Sequence, residues 1–345
     1  MIAVTEAKTE DAAKAWDRYV YDHPSSSPYH LVAWRSVMER VCGHRTFNLM
    51  AVDDHNDVRG IVPLVFMSSR VFGHYLISMP FLNYGGIVSD DPEAVDALLN
   101  ATVSVARDVG ATFIELRHQA PLDVHWPARQ HKVSMRLELP GDFASLWNGF
   151  GSKLRSQIRR AQKAGMAIRI GGRELLSDFY RIFARNMRDL GTPVYAPRFF
   201  QAVLETFSAE TRICVAHIDG LPVAAGFLFG FRDGIEIPWA SSDRRYNHLA
   251  PNMLLYSAVL DHVCREGFRW FDFGRSSPGS GTYRFKEQWG ARPLPLHWHY
   301  WSNIGQAISE VSREHSMYRP AIKLWTRMPL GLTRIVGPMI VNHIP

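Results

Sequence analysis

APNMLLYSAVLDHVCREGFRWFDFG, residues 250–274, reads as a long helix that runs straight into an aromatic strand. Before it stands TRICVAHIDGLPVAAGFLFGFRDGIEIPWASS, residues 211–242, which holds three strand-like runs joined by IDGLP and FRDG turns. Antiparallel strands, then a helix, then another strand form an α/β order in which the helix is the crossover. Upstream, LLSDFYRIFARNMRDLG, residues 175–191, predicts a further helix closed at Gly191.

The first half of the chain repeats that order. DAAKAWDRYV, residues 11–20, is helix-like, and HPSSSPYH breaks it. LVAWRSVMERVCG places Leu31, Trp34, Val37, Met38 and Val41 on one helical face. FNLMAVDD and GIVPLVFMSS read as strands around HNDVRG, and PFLNYGGIVSDDP is turn-rich. PEAVDALLNATVSVARDVG starts at Pro92 and stops at Gly110, and ATFIELRH follows as a strand. The sequence therefore predicts two similar α/β domains, residues 1–145 and 146–303, and a tail over 304–345.

The totals agree with a globular chain. Its 345 residues suit two domains, and 46% hydrophobic with 21% charged residues allows a real core. A net charge of +6 favours anionic partners: nucleic acid, nucleotide cofactors, anionic lipid or phosphorylated substrates. Cys42, Cys214 and Cys264 are far apart, which argues against a disulfide framework or zinc ribbon and fits a reducing cytoplasm. MIAVTEAKTEDAAKAW lacks the basic-then-apolar order of a secretory signal, and no apolar run reaches bilayer-spanning length.

Chemistry concentrates in FDFGRSSPGSGTYRFKEQWGA, residues 271–291. Asp272 ends a strand and is a candidate general base, or else a structural residue that pairs with Arg275 or caps a turn. Arg275 and Arg284 suit a phosphate or carboxylate. Lys286 is a point charge for a phosphate or a developing oxyanion, Tyr283 a proton relay, and Trp289 a stacking plane for a sugar or base. SKLRSQIRRAQKAG, residues 152–165, carries five cations and no acid, with Arg155, Arg159 and Lys163 on one face and Ser152 as a plausible N-cap. An anion would relieve that repulsion; a solvated basic face is the alternative. In LGTPVYAPRFF, Tyr195 and Arg198 suggest a site loop, or a proline-fixed helix start. His297 and His299 alternate on a strand without an evident third metal ligand. The tail mixes bulky apolar residues with Arg313, Arg319, Lys323, Arg327 and Arg334, which suits a helix packed on the body or one lying on anionic lipid.

SKLRSQIRRAQKAG, NMRDLGTPVYAPRFF, PNMLLYSAVLDHVCREGFRWFDFGRS and GTYRFKEQWGA together resemble the FemAB-like N-acyltransferases. GIVPL and SMPFLNYGG extend the resemblance over most of the chain. It looks closest to the FemAB-related proteins of exosortase (PEP-CTERM) and exopolysaccharide loci. The resemblance implies two tandem GNAT-like domains plus a helical tail. It also implies acyl or aminoacyl transfer to an amine on a phosphorylated or lipid-linked saccharide or peptide precursor of the envelope. Lys286 matches the family lysine that meets the precursor's phosphate region. The donor would be acyl-CoA or aminoacyl-tRNA, with no tightly bound cofactor and no metal. In GNAT folds an Arg-x-x-Gly-x-Gly/Ala loop holds the donor pyrophosphate at a helix N-terminus. Arg245, His248 and Asn252 occupy that region here, with histidine where the first glycine falls. The class outside catalysis is a binding or assembly factor for a nucleotide- or lipid-linked sugar, peripheral at the inner membrane.

Overall fold

A computed structural model describes residues 1–70, 72–303 and 319–344. In chain order the elements are β1 (Ala3–Glu6), α1 (Glu10–Asp22), α2 (Trp34–Arg40), β2 (Arg45–Val52), β3 (Val58–Ser69), β4 (Gly73–Ile77), α3 (Pro92–Val109), β5 (Phe113–His118) and β6 (Ala128–Arg129). Then follow β7 (Val133–Glu138), α4 (Phe143–Gly149), α5 (Ser152–Gln162), β8 (Ala167–Gly171), α6 (Leu176–Asp189), α7 (Pro197–Thr206), β9 (Thr211–Ile218), β10 (Leu221–Phe231) and β11 (Gly234–Ser242). The last are α8 (Pro251–Arg265), β12 (Trp270–Ser276), α9 (Gly281–Glu287), β13 (Arg292–Pro295), β14 (His297–Ser302), α10 (Arg319–Arg327) and α11 (Leu330–Val341).

Two mixed sheets form, of order β1-β2-β3-β4-β5-β14-β6 and β13-β7-β12-β11-β10-β9-β8. Each has an antiparallel meander (β1–β4; β8–β11), a crossover helix (α3; α8) and one parallel pairing, β4 with β5 and β11 with β12. The helix ends follow local chemistry. Pro92 and Pro251 open α3 and α8, and Gly110 closes α3 in the left-handed conformation at φ 72°.

The division into units departs from chain order in one respect. β14, at the far end of the second half, pairs antiparallel with β5 of the first sheet. β7, which follows the first half, pairs antiparallel with β12 of the second. The compact units are thus Met1–Lys132 with β14, and Val133–Leu294 with α10 and α11. The sequence expectation placed the break near 145 and gave the second domain everything to 303. β14 occupies next to β5 the position that β7 occupies next to β12.

In the second unit Met135, Leu137, Ile237, Leu255, Val259, Phe271 and Phe273 make a core between sheet and helices. In the first, Leu64, Leu76, Leu98, Ala106, Ile114 and Leu116 do the same. Each such Leu, Ile, Val, Met or Phe side chain contributes roughly 1.5–3 kcal/mol of transfer free energy. Of the tail, 304–318, including Arg313, lies outside the described residues. α10 and α11 pack on α6. No helix among the described residues is long and apolar enough to cross a membrane.

Candidate active site

The parallel ladder of β11 and β12 runs Gly234↔Trp270, Ile235↔Phe271 and Glu236↔Asp272, and stops there. Beyond that point β11 continues to Ser242 and β12 to Ser276, now without pairing to each other among the described residues. The strands part at two buried carboxylates. Buried acids need partners, and the sequence supplies them within a few residues.

Asp272 is fully buried. Its Oδ1 accepts from the Gly274 amide at 2.8 Å, and its Oδ2 accepts from the Ser134 hydroxyl on β7. Register between β12 and β7 shifts between Asp272 and Arg275, so a bulge falls at Phe273–Gly274. Gly274 sits at φ 75°, where only glycine is free of strain. The carbonyls of Gly274, within the bulge, and of Arg275, just after it, meet one side chain. Lys286 Nζ donates to both, at 2.8 and 3.0 Å.

Lys286 comes from α9, a two-turn helix whose N-cap Ser280 accepts from the Tyr283 amide at 3.2 Å. Its ammonium is buried, and burial pushes its pKa down to about 8. The carboxylates of Asp272 and Glu236 pull the other way, and the Arg275 charge adds to the lowering. A lysine has three N–H donors; carbonyls take two, which leaves one for a ligand. Ser276 Oγ, also buried, meets no hydrogen-bond partner among the described residues. Glu236, Ser134 and Ser276 escaped sequence reasoning. The one available signal was Glu236 as a lone acid inside the apolar run GIEIPW.

Several expected site residues are placed elsewhere or otherwise engaged. Trp289 is a core residue, against its expected role as a stacking plane. Phe150 meets it edge-on at 5.4 Å, and Tyr256, Phe273 and Phe285 complete its surroundings. Asp272 is sealed and doubly hydrogen-bonded, a geometry that orients its neighbours. Tyr283 is half-buried against the core, and Arg284 is exposed. Tyr195 joins an aromatic cluster with Phe183, Phe199 and Phe200, its carbonyl accepting from Tyr180 Oη at 3.0 Å. Pro197 opens α7, and Arg198 is exposed.

The N-cap of α5 is Gly151 without a side-chain bond, where Ser152 was expected. Leu154, Ile158 and Ala161 face the core as the spacing predicts. Arg159 lies 5.5 Å over the Trp147 ring, Arg155 is half-buried, and Lys163 is the exposed C-cap residue.

Between β11 and α8, Arg244–Leu249 form a 3₁₀ turn, and Ala250 takes the left-handed conformation at φ 55° before α8. Arg245 grips Asp243 with Nε and Nη2, the closest contact at 2.6 Å. Burial alone pushes the Asp243 carboxyl up, but the hydrogen bonds of Arg245 and the Arg185 charge outweigh it and hold it below the usual range. Asn252 Nδ2 donates to Ser242 Oγ at 3.1 Å, tying α8 to the end of β11. The α8 N-terminus has no side-chain cap, and His248 is exposed.

In the first unit His299 turns to His118, the Nδ1 atoms 3.0 Å apart, whereas His297 meets Gln130. The two histidines therefore serve different neighbours. His118 Nε2 accepts from the Ile87 amide at 3.0 Å, so its proton sits on Nδ1 and points at His299.

The sequence model of the family described as "Acetyltransferase (GNAT) domain" matches residues 150–287, the span from the start of α5 through Lys286. No curated protein matches the sequence. Among solved structures, FemX is similar over 86% of this chain and 96% of its own, with TM-score 0.67 and 14% identity. The C-terminal domain of a putative lysylphosphatidylglycerol synthetase from Agrobacterium fabrum gives 0.57 at 11% identity, covering 85% and 92%. A tandem GNAT protein from the clavulanic acid biosynthesis pathway gives 0.55 at 13%, covering 89% and 99%. The fold is GNAT-like, in tandem, and the matched domain makes the chain an acyltransferase.

Proposed function

We propose that the second unit transfers an acyl or aminoacyl group to an amine, at the point where β11 and β12 part. The observation that carries this reading is the buried Lys286, held by the carbonyls of Gly274 and Arg275 beside two carboxylates. An extended donor arm can hydrogen-bond to the backbone that β11 leaves unpaired beyond Glu236. The attacking amine forms the new bond at the donor carbonyl, whose oxygen becomes an oxyanion. The remaining N–H of Lys286 stabilises that charge and, as the C–S or C–O bond to the donor breaks, protonates the departing thiolate or alkoxide; the neutral Lys286 amine so formed takes up the proton that the new amide nitrogen sheds. The carboxylates keep enough of the lysine protonated near neutral pH for this role. Asp272 acts as a positioning residue, fixing the bulge through Gly274 and Ser134.

Donor and acceptor follow from chemistry and likeness. The uncapped N-terminus of α8 and the cations of α5 suit the phosphates of acyl-CoA or of a tRNA. The acceptor we infer is an amine on a phosphorylated or lipid-linked envelope or exopolysaccharide precursor, the class implied by the resemblance to FemAB-related proteins of exosortase loci. The test is transfer of label to precursor fractions from acyl-CoA and aminoacyl-tRNA pools, with wild type beside Lys286→Met. Transfer by wild type and a fall of roughly 10²–10³ in the variant are expected. Equal rates would remove Lys286 from the chemistry.

A further inference from the structure

Four of the nine large apolar side chains exposed in the described residues, Leu324, Leu332, Ile335 and Met339, lie on α10 and α11. Their placement is ordered. On α11, Thr333, Gly337 and Val341 face inward, with Gly337 so close to Val194 that a Cβ would lie 2.9 Å from its amide nitrogen. On α10, Trp325 is buried and Ile322 meets Gly191. At 3.6 residues per turn, Leu332, Ile335 and Met339 fall within about 60° of each other, opposite the buried stripe. Leu324 likewise falls opposite Ile322 and Trp325, flanked by Lys323 and Arg327. Exposure reaches 69% at Ile335, 68% at Met339 and 66% at Leu324.

We propose that this outer face of α10 and α11 docks on an anionic lipid surface, Leu324, Leu332, Ile335 and Met339 entering the interface while Lys323 and Arg327 meet lipid phosphates. Charge selects the occupant. Residues 319–344 carry four Lys/Arg and no Asp or Glu, and Lys323 and Arg327 form no ion pair among the described residues. Arg334 is the exception in direction: its guanidinium lies 5.1 Å over the Tyr180 ring, on the body. A second copy related by a two-fold axis would set this all-cationic patch against itself, which repulsion disfavours. Apolar side chains beside unpaired cations are what an interfacial helix presents to a bilayer. The inference rests on these helices alone and is independent of the acyl-transfer reading.

The test is flotation of the full chain with vesicles of phosphatidylcholine alone and of equimolar phosphatidylcholine and phosphatidylglycerol. Wild type should partition onto the anionic vesicles at least roughly tenfold better, and salt should weaken that binding. The double variant Ile335→Ser/Met339→Ser and the charge reversal Lys323→Glu/Arg327→Glu should each lose roughly tenfold or more. All four side chains are exposed, so thermal transitions should not move. Failure of wild type to bind anionic vesicles overturns the proposal, as does binding retained by both variants. A dimer in light scattering that disappears in the apolar variant would assign the face to a second copy instead.

Discussion

Glu236 and Asp272 are register partners on β11 and β12, and the parallel ladder between those strands ends at that pair. Two buried acids side by side would repel, and the sequence answers with a lysine. Lys286 is lowered by burial and restored in part by those carboxylates. Its charge state therefore reports on both strands at once.

That coupling sets a pH profile. With Lys286 working as the ammonium, kcat/KM expressed per unprotonated acceptor amine should hold steady below about 8 and fall as pH rises through about 8. Initial rates across pH, with donor saturating, measure it. A rate that climbs through the same window would mean that the neutral amine acts as a base.

Replacing Glu236 with Gln removes one of the two groups that raise the Lys286 pKa. The alkaline limb should move to lower pH, by up to about one unit. Asp272→Asn should move it the same way and also destabilise the bulge, because the amide cannot accept at both oxygens. An unmoved limb in Glu236→Gln would uncouple the two residues.

Gly274→Ala puts a Cβ at φ 75°. The strain costs about 1–2 kcal/mol and shifts the carbonyls that hold Lys286. Turnover should drop roughly tenfold or more, and in a Lys286→Met background the second substitution should add little. A double-mutant cycle of rates measures this; full additivity would separate the bulge from the lysine.

His118 titrates far from its usual range. Burial first, then the charges of His299 and His30, push it down to about 3. The folded ring stays neutral while the unfolded chain takes a proton below the ordinary value of about 6.5. Stability from this group is therefore complete above about 6.5 and is lost progressively as pH falls towards about 3. By about pH 5 the loss is roughly 2 kcal/mol. Urea midpoints against pH measure it, and His118→Gln should flatten the slope. A wild-type midpoint constant down to about pH 4 would refute it.

The meander, α8 and β12 were legible because proline, glycine and period-two runs are local signals. β4 was missed: its five residues, GHYLI, follow the longer β3 too closely to stand out as a separate strand. Trp289 misled because an aromatic beside Lys and Gln looks like a binding surface, although large rings are buried more often than displayed. Glu236 passed unnoticed because one acid in a strand reads as the solvent side of an alternating pattern. The exchange of β7 and β14 left no trace, since local sequence reports a strand's period and not which sheet edge it joins.

That exchange has a temporal consequence. The chain is synthesised from its N-terminus, yet β5 gains β14 only once residues 297–302 have emerged. Until then the first sheet keeps an open edge at β5, while β7 awaits β12, made more than 130 residues later. Order of birth and order of completion differ, so the nascent protein exposes unpaired strand edges that a finished copy of either unit would close.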